Sequence, residues 1–419
     1  MYKLIINGGK PLQGSISIAG SKNSALPILF ASILADAPVV LTNTPHLSDV
    51  STTLHLLMDM GAEFVLESDN SISIDSSKLD KLEAEYDLVK TMRASILALG
   101  PMLAKYGQAK VSLPGGCAIG SRPVNLHLKA LEDLGADIEV KNGYIYAKAD
   151  QLVGAEVYFD QVSVTATENI LMAATLAKGE TIIHNAAQEP EIVDLARCLN
   201  LMGAKISGAG TSSIHVEGVN QLSGVSYAVC PDRIEAGTYL IAAAITRGSI
   251  TLKNVRPSSM RAILNKLGEA GAQIQVNDNN ISLDTHGKRL DAVDVKTGTY
   301  PNFPTDMQAQ FTALNIVAKG NSAITETIFE NRFMHIPELA RMGADLTLEG
   351  NTVMCKGVKS ISGANLMATD LRASASLVLA GLAAKGQTTV ERVYHLDRGY
   401  ETIEEKLKLL GADISRVQD

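Results

Sequence analysis

The chain has 419 residues, 46% apolar and 20% charged, which suits two or three packed domains and leaves too little charge for a disordered chain. Its 37 Lys and Arg against 45 Asp and Glu leave a net charge of −8, and Trp is absent. That balance argues against general nucleic-acid binding and against aromatic platforms for single strands. Residues 1–8 hold no signal-like apolar run, and the apolar-rich stretches, such as 25–35, are far shorter than the roughly 20 residues of a bilayer span. The expectation is a soluble, cytoplasmic protein with no membrane partner. Cys117, Cys198, Cys230 and Cys355 are scattered without a Cys-x-x-Cys pair, which speaks against a disulfide framework or a zinc site. Walker A and Gly-x-Gly-x-x-Gly patterns are missing, and no cofactor or metal is expected.

Along the chain, one unit repeats six times. Helical patterns end on Gly-Ala plus a polar residue at Gly61, Gly135, Gly203, Gly271, Gly343 and Gly411, with spacings of 74, 68, 68, 72 and 68. Glycine suits the left-handed position just past a helix end. Alternating residues after it, such as Ile138-Glu139-Val140 and Ile274-Gln275-Val276, predict strands. Each unit also holds a helix that is apolar nearly all round, as at 26–31, 170–174, 239–244 and 376–380. A helix without a polar face belongs inside a domain. Short strands at 39–41 and 181–183 and amphipathic helices such as 403–410 complete the unit. The economical architecture is α/β: two inside-out barrels of three units each, with buried central helices and the halves changing near 229–231. An open tandem solenoid is the alternative.

Charge collects where the buried helices begin: Ser21-Lys22-Asn23-Ser24, Thr91-Met92-Arg93, Thr165-Ala166-Thr167-Glu168, Asp232-Arg233, Thr305-Asp306-Met307-Gln308 and Thr369-Asp370-Leu371-Arg372. Ser, Thr and Asp there are ordinary N-caps. Lys22, Arg93 and Arg372 are different, because the helix dipole disfavours a cation at that end unless an anion joins it. A second ring of charged loop residues (Asp49, Arg122, Glu189, Glu191, Arg332 and Arg398) precedes the amphipathic helices. Guanidinium groups suit carboxylates and phosphates. If the units are related by pseudo-symmetry, such ends converge on a cleft with positive walls. The loop 114–123 carries three glycines and two prolines, the composition of a lid, with Cys117 at its tip. Arg122 nearby favours the thiolate, so Cys117 is a candidate acid or nucleophile. The other three cysteines lie on apolar runs and read as packing residues.

The Cys loop 114–126, together with Ser21-Lys22-Asn23-Ser24, Phe303-Pro304-Thr305-Asp306-Met307-Gln308, Glu330-Asn331-Arg332-Phe333 and Asp397-Arg398-Gly399-Tyr400-Glu401, resembles the UDP-N-acetylglucosamine 1-carboxyvinyltransferase family of enolpyruvyl transferases. The likeness runs over essentially the whole chain. It implies transfer of the enolpyruvyl group of phosphoenolpyruvate to the 3-hydroxyl of UDP-N-acetylglucosamine, with release of phosphate, as the first committed step of peptidoglycan biosynthesis. It also implies a discontinuous domain of 1–20 plus 230–419 around an inserted domain, 21–229, that carries the Cys117 loop.

By the same resemblance, Lys22, Asn23, Arg122 and Arg398 hold phosphoenolpyruvate. Cys117 is the general acid toward the methylene carbon and can form a covalent adduct, and Asp306 is the base on the sugar hydroxyl. Nucleotide-sugar contacts fall on Arg93, on Arg122, Pro123, Val124, Asn125 and Leu126, on Gln161, Val162, Ser163 and Val164, and on Asp306 and Ile328. Asp49, Arg332, Asp370 and Arg372 line the same cleft. Gln161 and Thr165 stand where many relatives have Lys and Gly. The expected partners are the two small-molecule substrates alone, met by a monomer. Two alternatives stay open: an enolpyruvyl transferase acting on shikimate 3-phosphate, against which the Gly-Gly-Cys loop speaks, and a non-catalytic paralogue that binds a sugar nucleotide.

Overall fold

The computed structural model describes residues 2–67, 71–89, 92–113 and 124–418, apart from the side chains of residues 87 and 88. Packing divides the described residues into two compact units, with the chain passing from one to the other at 19/20 and 230/231.

All six Gly-Ala sites close a helix in the same way. Each glycine has φ between 89° and 111°, the region a side chain strains to adopt. At the first site Gly61 N donates to Met58 O and Ala62 N to Leu57 O, both at 2.9 Å. The paired bonds recur at Gly135, Gly203, Gly271, Gly343 and Gly411. This Schellman geometry satisfies the last free carbonyls and turns the chain into a strand. Glu63–Leu66, Asp137–Lys141, Lys205–Ser207, Gln273–Asn277, Asp345–Glu349 and Asp413–Gln418 follow.

Each of those strands is the outer member of a four-stranded sheet, and among the described residues there are three such sheets in each unit. In the unit of residues 20–230, Ser226–Ala228 joins Val39–Thr42 in parallel, and Ile72–Asp75 and Glu63–Leu66 continue antiparallel. A strand from the end of the unit thus pairs with one from its beginning, which closes a ring and rules out an open solenoid. In the other unit, Tyr2–Asn7 runs antiparallel between Gln387–Glu391 and Asp413–Gln418. Gln13–Ser17 pairs in parallel with Ser249–Lys253.

The apolar helices are buried at the centre, as their lack of a polar face predicts. Arg233–Ile245, Gln308–Asn315 and Leu371–Ala383 pack on one another in the second unit. Lys22–Ala31, Leu99–Tyr106 and Val164–Ala174 occupy the centre of the first. Helices inside and sheets outside make each unit an α/β barrel turned inside out. Among the described residues no helix is long and apolar enough to cross a membrane.

Two helix starts differ from the expectation. Residues Arg93–Ala98 and Thr305–Met307 form 3-10 turns before their α-helices, with no side-chain cap. Pro101 has no amide hydrogen to give to the preceding turn, and Thr305 spends its hydroxyl on Glu326 instead of on the helix. Side-chain caps are made by Ser21, Ser163, Asp232 and Asp370. Ser163, not Thr165 or Thr167, caps its helix. Cys198, Cys230 and Cys355 are buried packing residues, and burial pushes the Cys198 and Cys355 thiols up to about 12.

Gly271 sits at φ +96° with open space where a Cβ would stand, whereas a Cβ on Gly100 would overlap two oxygens of Asn169. Gly271→Ala should therefore cost about 1 kcal/mol from backbone strain alone. Gly100→Ala should cost about 2–3 kcal/mol from overpacking. Urea unfolding measures both, and equal losses would contradict this account.

Candidate active site

The segment before helix Gln308–Asn315 is held by Phe303, which meets Phe311 edge to face at 5.0 Å, and by the extended backbone of Pro304. Asp306 thereby projects from the start of a buried helix, with 24% of its side chain exposed. One carboxylate oxygen accepts from Arg332 Nη2 at 2.7 Å and the other from Arg372 Nη2 at 2.9 Å. Burial alone would raise its pKa, but the two guanidinium groups outweigh burial and hold the carboxyl well below the usual range. Asp306 is ionised and a strong hydrogen-bond acceptor.

Both arginines are fixed in turn. Arg332 Nη1 donates to Thr305 Oγ1 at 2.8 Å, and Thr305 donates to Glu326 at 2.8 Å. Glu326 also takes the Ile328 and Phe329 amides and the Thr297 hydroxyl. Arg372 Nη1 donates to the Tyr400 hydroxyl at 3.2 Å, which meets Thr238 Oγ1 at 2.9 Å. Gln310 Nε2 closes this set by donating to Thr238, at 3.1 Å, and to the Asp306 carbonyl, at 2.9 Å. Asp370 caps the helix in which Arg372 sits, through the Arg372 and Ala373 amides. Arg398 ends the turn Val393–Arg398 in the same unit.

The other expected residues lie in the unit of residues 20–230. Lys22 opens helix Lys22–Ala31, followed by Asn23, and its Nζ is 3.4 Å from Asp49 Oδ2. That pair offsets the dipole penalty of a cation at a helix start. Asp49 and Glu191 are not loop residues: both are buried in the first turns of helices Ser48–Asp59 and Pro190–Leu201. Glu189 is the residue just before the second of these helices. Gln161, Val162 and Ser163 lead into helix Val164–Ala174, and Val124 leads into Asn125–Asp133, which begins with Asn125 and Leu126. Arg93 opens its 3-10 turn. Cys117, Arg122 and Pro123, like Thr91, lie outside the described residues.

Sequence reasoning missed Glu326, His127 and Asn169. His127 Nδ1 meets Asn169 Nδ2 at 3.0 Å, and Nε2 meets Thr165 Oγ1 at 3.3 Å. Asn169 Oδ1 accepts from Gly100 N, so its amide must donate to Nδ1, which leaves Nε2 carrying the imidazole proton. This clamp ties together the segments that begin at Arg93, Asn125 and Val164. No periodicity announces it; the signal is only a polar residue on an otherwise apolar helix face. Glu168 is buried beside Glu191 and Glu189, and burial foremost raises its pKa well above the ordinary value.

Burial, reinforced by Arg93, pushes His127 down to about 3 from 6.5. Burial and Arg332, opposed by Asp370, leave His335 at about 4. The unfolded chain protonates both groups near 6.5 and the folded chain does not, so their stabilising effect is complete above that pH and is lost as pH falls from 6.5 toward 3. Unfolding free energy should fall more steeply on acidification in the wild type than in His127→Asn. Identical slopes in urea titrations would remove His127 from the account.

Residues 6–407 match the family model described as EPSP synthase (3-phosphoshikimate 1-carboxyvinyltransferase). The chain is 78% identical over 419 residues to a protein of Ruthia magnifica subsp. Calyptogena magnifica named UDP-N-acetylglucosamine 1-carboxyvinyltransferase, with all of both chains covered. A protein of the same name from Coxiella burnetii is 58% identical over 418 residues, covering 100% of this chain and 96% of the other. Among solved structures, the enolpyruvyl transferase NikO from Streptomyces tendae aligns with a TM-score of 0.90 at 25% identity, over 100% of this chain and 99% of that one. The chain belongs to the EPSP synthase family of carboxyvinyltransferases, and within it to the group named UDP-N-acetylglucosamine 1-carboxyvinyltransferase.

Proposed function

We propose that this chain transfers the enolpyruvyl group of phosphoenolpyruvate to the 3-hydroxyl of UDP-N-acetylglucosamine and releases phosphate, as a monomeric cytoplasmic enzyme of peptidoglycan synthesis. The observation that carries the reading is Asp306, an ionised acceptor flanked by two guanidinium groups at the start of a buried helix. Full-length identity of 78% to a protein so named supports the choice of acceptor.

The chemistry is addition followed by elimination. Lys22, Asn23, Arg122 and Arg398 bind the phosphoenolpyruvate anion and stabilise charge as it shifts. Cys117 gives a proton to the methylene carbon, and the adjacent carbon becomes electrophilic. The sugar 3-oxygen attacks that carbon while Asp306 accepts its proton. Loss of phosphate, with one methyl proton returned to the Cys117 thiolate, then restores the double bond. Arg93, the 122–126 and 161–164 stretches and Ile328 hold the nucleotide sugar. Asp49, Arg332, Asp370 and Arg372 keep the charged groups in place.

Phosphate release measured with UDP-N-acetylglucosamine or shikimate 3-phosphate as acceptor tests the reading; turnover only with the second would overturn it. Asp306→Asn should lower kcat by about 10²–10⁴-fold, the range for loss of a general base. Full activity in that variant would end the assignment. Cys117→Ser should suppress turnover and leave nucleotide-sugar binding, followed by calorimetry, nearly intact. Undiminished turnover would remove the thiol from the mechanism.

A further inference from the structure

Arg416 lies in strand Asp413–Gln418, outside the motif segments that carry the site. Its backbone is fixed in the sheet opposite Leu4, which is fully buried. The guanidinium makes four hydrogen bonds to two carboxylates. Nη2 and Nη1 donate to Asp397 Oδ1 and Oδ2 at 2.7 and 3.0 Å. Nε and Nη2 donate to Glu404 Oε1 and Oε2 at 2.7 and 3.1 Å. One side chain therefore grips both ends of the segment 397–404, and Glu404 is itself 5% exposed at the start of helix Ile403–Leu409.

Arg398 is the next residue after Asp397. On its other side, Gly399 lies against Leu371, where an added Cβ would meet Cδ2 at 2.6 Å, and Tyr400 is tied to Arg372 and Thr238. The segment needs such anchoring. Arg392, which precedes the turn Val393–Arg398, has φ 58°, and Thr402 has φ 40°. Non-glycine residues in the left-handed region persist only where their surroundings fix them.

We propose that Arg416 is a positioning residue for the enolpyruvyl-transfer site: its bidentate pair with Asp397, shared with Glu404, sets the direction in which Arg398 meets the anionic donor substrate. This rests on the reading that Arg398 holds phosphoenolpyruvate. A planar fork suits the role, because an ammonium group has three donors and cannot make the four bonds formed here.

The test is steady-state kinetics with both substrates varied, for Arg416→Gln, Arg416→Lys and Asp397→Asn. Arg416→Gln and Asp397→Asn should raise KM for phosphoenolpyruvate by about ten- to a hundredfold, the scale of a misplaced binding group, and change KM for UDP-N-acetylglucosamine by less than about twofold. Arg416→Lys should fall between wild type and Gln. A purely structural role would lower the thermal midpoint and the active fraction and leave both KM values in place; that pattern overturns the proposal. Wild-type turnover tests the functional reading on its own. Amide exchange over residues 393–402 tests the clamp whether or not turnover is found: faster exchange in Arg416→Gln supports it, and unchanged exchange overturns it.

Discussion

Asp306 is a carboxylate taken largely out of water and kept ionised by Arg332 at 2.7 Å and Arg372 at 2.9 Å. Neither arginine could be buried alone. Arg372 is 3% exposed and Arg332 6% exposed, and stranding a charge at such a position costs about 3–5 kcal/mol. Arg372 also stands in the first turn of a helix, where the dipole opposes a cation. Asp306 offsets that opposition, and Asp370 caps the amides of the same turn. Among the described residues, Asp306 is the one carboxylate in direct ion-paired contact with both guanidinium groups, while Asp232 adds to the field that holds Arg372 charged.

The fold supplies rigidity to that cluster through its buried helices. Asp306 stands at the start of one, Arg372 at the start of a second, and Thr238 lies within the third. Tyr400 and Gln310 join them by hydroxyl and amide bonds. In the unit of residues 20–230 the equivalent helix ends carry different chemistry. There an ion pair, Lys22 with Asp49, stands at one helix start, and a neutral network of His127, Asn169 and Thr165 stands at another. The same repeat thus holds a charged clamp in one place and an uncharged one elsewhere. Pseudo-symmetry fixes the positions, and the side chains fix their use.

The repeat was legible because its signal is local. A Schellman close needs glycine, and six glycines at spacings of 68 to 74 mark six closes. Central helices were legible because 239–244 and 376–380 offer no face to water. The pairing of strands was not, since nothing in 2–7 or 226–228 names a partner more than 180 residues away. The Asp306 triad was legible only through the resemblance, which puts Arg332 and Arg372 in the same cleft; they lie 26 and 66 residues downstream, and only folding pairs them with Asp306. Proline also altered local detail. Pro101 favours a 3-10 start for its helix where apolar periodicity alone predicts a plain one.

The same geometry that makes Asp306 a good acceptor makes it a weak base, and the proposed chemistry has to resolve that. A carboxyl held well below its ordinary pKa binds a sugar hydroxyl readily and takes its proton reluctantly. The two guanidinium groups are the cause. The free sugar hydroxyl is a weak acid, and its proton becomes far more acidic as the new bond to carbon forms. Base strength and acid strength thus approach one another only as the carbon–oxygen bond forms. An isolated buried carboxylate would be neutral and could take no proton at all. Pairing with two arginines keeps Asp306 ionised, and in the proposed reaction the forming bond supplies the acidity that so weak a base requires.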